Sequence, residues 1–184
     1  PSDTTLIMSY SRDGVFRWKR LNVGLRGGEL AVARGLLYAE YTSVVLDAVS
    51  GQPAFALPSE LGRAVISRSR LVPAPQEGGT TLSGYESGVL QHRWTSTLAS
   101  PWRYWSDQIR LAKWQTSKGP RTVALTWVMD PTDVGLWDFA LSAVDVEDGS
   151  QAFLCPVDVS GRTPPQLFEV ANGSLGMMNG ALDS

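Results

Sequence analysis

A ten-residue pattern recurs at two distant places in the chain. Leu46–Phe55 reads LDAVSGQPAF and Val144–Phe153 reads VDVEDGSQAF. Asp47 and Asp145, Gly51 and Gly149, Ala54 and Ala152, and Phe55 and Phe153 coincide without a gap. The same frame catches SRDGVFRW, with Gly14 ahead of Trp18, and YESGVLQHRW, with Gly88 ahead of Trp94. It also catches EVANGSLGMM, with Gly173 ahead of Met177. Gly14 to Gly51 is 37 residues, Gly51 to Gly88 is 37 again, and Gly88 to Gly149 is 61, one period stretched by 24. Gly149 to Gly173 is only 24 residues, too short for a full unit. Such periodicity constrains the fold to an array of small units that must stack to bury their apolar faces.

The chemistry of the repeated stretch is that of a hairpin. Asp13, Ser50, Ser87, Asp148 and Asn172 each precede the glycine, and their short polar side chains can bond nearby backbone N–H groups. The glycine supplies a positive φ at the end of the loop. A large apolar residue follows at the fourth position after the glycine in three units (Trp18, Phe55, Phe153). In the Gly88 unit it stands at the sixth position (Trp94), on the same face of a strand.

Upstream of the turns lie strand-like runs. ELAVARGLLYAEYTSVVLDAVSG reads as strand, turn at Arg34-Gly35, strand, polar break, strand and glycine hairpin. TVALTWVMDPTDVGLWDFALSAVDVEDG repeats this with a polar link at Asp130-Pro131-Thr132-Asp133. Alternating and continuous apolar runs mix, as expected of strands buried on both faces. WSDQIRLAKW is the one candidate for a helix and fits a strand equally well. About four strands in each unit of 37 or more residues matches a blade of a β-propeller.

The fold expected is therefore all-β: a β-propeller-like array of about four antiparallel blades, an incomplete arc of a larger propeller, with a β-sandwich as the alternative. One segment spans residues 1–184, with units ending near 18, 57, 94 and 155. Residues 156–184 open a further unit or form a linker. The chain opens at Pro1 and ends in GALDS without a closing element, which points to a piece of a longer protein.

Composition narrows the function classes. Hydrophobic residues make up 43% and charged residues 18%, so the chain has ample material for a core and is not expected to be disordered. A net charge of -2 provides no basic field, and nucleic-acid binding is not expected. No apolar run is long enough for a membrane-spanning helix. Cys155 is the only cysteine. Alone it makes no internal disulfide or thiolate metal cluster; in AFLCPV it reads as a small buried hydrophobe, or as one half of an intermolecular bridge.

The run of strand, LDAVSG and a large apolar residue resembles the repeat of PQQ-like (quinoprotein-like) β-propellers. It is carried by Leu46, Asp47, Gly51 and Phe55, by Val144, Asp145, Gly149 and Phe153, and by Gly14 and Trp18. The resemblance covers most of residues 9–157. It implies closure with seven or eight blades, so that the remaining blades lie outside this chain or the propeller is an atypical small one. The family holds quinoprotein dehydrogenases, which bind a quinone with a calcium-like ion and often carry a vicinal cysteine pair. It also holds non-enzymatic extracytoplasmic scaffolds and sensors. The cysteine pair is absent here, and a fold name does not transfer a cofactor.

Residue by residue, no catalytic, cofactor-binding or metal site is expected. His92 is the only histidine; VLQHRW places it in a strand beside Arg93, where a structural or surface role is expected rather than catalysis. Asp145, Glu147 and Asp148 gather before Gly149 but lack the spacing of a calcium loop, and Asp130, Asp133 and Asp138 read as a solvated loop. GLRGGEL lacks the Lys-Ser/Thr of a phosphate loop. Trp102, Arg103, Tyr104 and Trp105, in the stretched unit, form the one candidate interaction surface, for a protein partner or a sugar ring; the alternative is that they complete the core. The function expected is a non-enzymatic extracytoplasmic protein-interaction scaffold or surface component. A quinoprotein-type oxidoreductase domain and a carbohydrate-binding propeller are the alternatives.

Overall fold

The computed structural model describes residues 4–23, 30–39, 44–58, 61, 63–67, 69–105, 108–131, 137–161, 163–170 and 174–178. Within them the chain is all-β, in several antiparallel sheets of which none is closed. Sheet I pairs β1 (Thr4–Tyr10) with β2 (Phe16–Val23). Sheet II is a meander of β3 (Leu30–Ala33), β4 (Leu36–Ala39), β5 (Val44–Asp47) and β6 (Pro53–Ala56). Sheet III repeats that order with β7 (Ala64–Ile66), β8 (Arg70–Pro73), β9 (Thr81–Glu86) and β10 (His92–Thr97). Sheet IV contains β11 (Arg103–Tyr104), β12 (Arg110–Thr116), β13 (Gly119–Asp130), β14 (Trp137–Asp145) and β15 (Gln151–Gly161). Both β11 and β12 pair along one edge of β13, followed by β14 and β15. Sheet V pairs β16 (Gln166–Val170) with β17 (Ser174–Met178). The Asn172-Gly173 turn between them lies outside the described residues.

The hairpins form for the reasons their residues suggest. Arg34 (φ 52) and Gly35 (φ 76) make a two-residue turn with both φ positive, the geometry that matches the twist of flanking strands. In the loops at Asp47 and Asp145 the backbone bonds are the same. Asp47 N–H donates to Gln52 O and Gly51 N–H to Asp47 O; Asp145 N–H donates to Ser150 O and Gly149 N–H to Asp145 O, all at 2.8–2.9 Å. Asp47 Oδ1 accepts from Val49 and Ser50 N–H, and Asp145 Oδ1 accepts from Glu147 N–H.

The loop of sheet III has this geometry too, but in a shifted frame. Glu86 N–H donates to Gln91 O and Leu90 N–H to Glu86 O, so Leu90 (φ 53), not Gly88, occupies the place of Gly51 and Gly149. Counted from Leu90, Trp94 is the fourth residue, as Phe55 is from Gly51. The 37-residue step to Gly88 is thus a sequence coincidence two residues out of structural frame. The stretched unit is filled by the additional strand β12, which includes most of the ambiguous WSDQIRLAKW run.

Side chains alternate between two buried layers along the inner sheets. Ile7 and Trp18 of sheet I meet Leu37 and Leu46 of sheet II. The opposite face of sheet II (Tyr38, Val45, Phe55) packs on Leu71, Tyr85 and Leu90 of sheet III. The opposite face of sheet III (Val72, Leu82, Trp94) packs on Tyr104, Ala124, Val128, Ala140 and Val144 of sheet IV. The far face of sheet IV carries a fourth cluster (Val123, Leu125, Trp127, Phe139, Leu141, Ala143) drawn from that sheet alone among the described residues. Leu46 and Val45, or Leu71 and Val72, are neighbours buried in different layers, the period-two signature of a strand covered on both faces.

Candidate functional site

Sheet-to-sheet contacts repeat in one direction. Trp18 on β2 lies against the Asp47–Gln52 loop of sheet II, with its indole N–H donating to Ala48 O at 3.3 Å. Trp94 on β10 lies in the same way against the Asp145–Ser150 loop of sheet IV, donating to Val146 O at 3.0 Å. A Cβ on Gly51 would sit 2.5 Å from Trp18 Cδ2, and one on Gly149 would sit 2.7 Å from Trp94 Cδ2. Both glycines are therefore required twice, by positive φ and by the ring pressed on the backbone. Between sheets II and III the contact is polar: Gly88 N–H donates to the buried Tyr38 hydroxyl at 2.9 Å. Burial raises the Tyr38 pKa, against the opposing effects of that N–H and of Arg34.

Charges reinforce the same seams. Glu86 pairs with Arg34 of sheet II at 2.6 Å and with Arg93 of its own sheet. The hydrogen bonds from Arg93, then from Arg34, hold the Glu86 carboxyl below its ordinary range. Glu147 accepts from Ser69 Oγ at 3.1 Å and pairs with Arg70 at 3.3 Å, joining sheets III and IV. Arg121 reaches Asp145 at 3.0 Å, and Asp148 accepts from Ser150 Oγ at 2.6 Å and Ser150 N–H at 2.9 Å. The three acids of DVEDG are thus engaged by the hairpin and the seam. Among the described residues no group of three or more His, Cys, Asp or Glu side chains is arranged to hold a metal ion.

The four residues singled out in the sequence do not form one surface. Tyr104 is fully buried between sheets III and IV, and its hydroxyl has no hydrogen-bond partner among the described residues. Burial raises its phenol pKa far above the ordinary value. Trp102, half-buried, packs on the same layer, while Trp105 belongs to the far face, its ring 4.9 Å from Trp137 and 5.4 Å from Phe139. Arg103 donates to the carbonyl of Trp102 at 2.9 Å. His92 is exposed, with Nε2 2.9 Å from Thr95 Oγ1 and its ring edge-on to Tyr85. Asp130 and Asp138 stand opposite one another on β13 and β14, and Asp133 lies outside the described residues.

Cys155 corrects its reading as a buried hydrophobe: it is free and exposed. Its strand β15 is the outer edge of sheet IV, and Cys155 shares the far face with Phe153 and Val157 because their cross-strand partners Leu141, Ala143 and Phe139 do. Trp114, 42% exposed, lies tilted against Phe153, with ring centroids 4.7 Å apart. The surface that the residue types missed is therefore the rim of this far face. Its only signal in the sequence was alternation, Phe153-x-Cys155-x-Val157 and Ala112-x-Trp114, which says nothing about what covers it.

The sequence matches no protein-family model and none of the curated proteins with which it was compared.

Proposed function

We propose that the chain is an arc of a PQQ-like β-propeller that acts as a non-enzymatic, extracytoplasmic protein-interaction scaffold. The supporting observation is the run of face-to-face sheets, in which sheets II, III and IV each bury apolar residues on both faces. A two-sheet sandwich buries one face per sheet and leaves the other to solvent. At two of the three seams, sheet I to II and sheet III to IV, equivalent contacts run in the same direction, which a propeller array would repeat from blade to blade. Trp18 and Trp94 each dock on the glycine hairpin of a neighbouring sheet, the feature most like the family's repeat. Extracytoplasmic placement follows from that resemblance alone.

A scaffold works through surfaces, and among the described residues five aromatic side chains (Trp105, Trp127, Trp137, Phe139 and Phe153) gather on the far face of sheet IV. A sugar platform built from Trp102, Tyr104 and Trp105 is disfavoured by the full burial of Tyr104. The test is to titrate the purified protein with pyrroloquinoline quinone and calcium while following tryptophan fluorescence and dye-linked oxidation of alcohols and sugars. A scaffold gives no saturable quenching and no turnover. Stoichiometric quinone binding with turnover would overturn it in favour of an oxidoreductase.

A further inference from the structure

We draw no further inference here: the strongest candidate, the part-exposed aromatic rim on the far face of sheet IV at Trp114, Phe153, Cys155 and Val157, carries no proposal because nothing in the structure shows what covers it.

Discussion

Gly149→Ala probes the contact on which the stacked sheets depend. The added methyl would lie 2.7 Å from Trp94 Cδ2 and Cε3, and the residue would be held at φ +76. Trp94 is 7% exposed and tied to Val146 O at 3.0 Å on the same loop, so it cannot retreat without losing that bond. Left-handed backbone costs about 1–2 kcal/mol, overpacking about 1–3, and the lost indole hydrogen bond about 1, for an expected loss of roughly 3–6 kcal/mol. Gly14→Ala is the control, because Gly14 has φ +78 but a Cβ added there would meet nothing within 4 Å. It should cost only the backbone share, about 1–2 kcal/mol. Urea unfolding at 25 °C, followed by far-ultraviolet circular dichroism, measures both. In a Trp94→Leu background the cost of Gly149→Ala should fall by about 2 kcal/mol, toward that of Gly14→Ala. If the two glycine substitutions cost the same in the wild type, the ring does not press on the hairpin and the docking argument fails.

Other consequences follow from single groups. Tyr38→Phe strands the Gly88 N–H at the seam between sheets II and III and should destabilise by about 1–2 kcal/mol in the same assay. Tyr104→Phe and Thr126→Val each remove a buried hydroxyl that has no partner among the described residues. Each should stabilise the protein by about 1 kcal/mol, read as a higher urea midpoint; a loss would reveal a bond to that hydroxyl. Asp47, Glu86 and Asp148 have depressed folded pKa values: Asp47 and Asp148 from the serine donors of their loops, Glu86 from Arg93 and Arg34. Their contribution is present above the unfolded carboxylate values near 4 and is lost as pH falls through the lower folded values. The urea midpoint should therefore fall as pH drops below about 4, and less steeply in Glu86→Gln.

Much of the local structure was legible in the residues. Asp47 and Gly51, and Asp145 and Gly149, mark hairpins because their carboxylates and positive φ values satisfy short-range backbone demands, which depend on neighbours in sequence. Arg34-Gly35 likewise sits where a turn with two positive φ values forms. The Gly88 frame failed for the opposite reason. Leu90 adopts φ 53 without any residue-type signal, and only the Glu86–Gln91 backbone bonds reveal the correspondence. Trp102, Tyr104 and Trp105 were legible as a cluster but not as two layers. The split arises because β11 pairs with β13 at the junction of sheets III and IV, a contact from distant sequence.

By itself, the sequence determined most of the strands, the hairpin chemistry at Asp47–Gly51 and Asp145–Gly149, and the large apolar residue four places after Gly14, Gly51 and Gly149, since all of these are set by interactions within a few residues. Only the tertiary structure decided which face each apolar residue serves. Ile7 and Met8 are neighbours of equal hydrophobic character, yet one lies beneath sheet II and the other stands half-exposed. Phe153 and Cys155 share a face whose openness depends on β15 being an edge. Burial is a property of what lies opposite, and for the outer faces of sheets I and IV nothing along the local sequence specifies that.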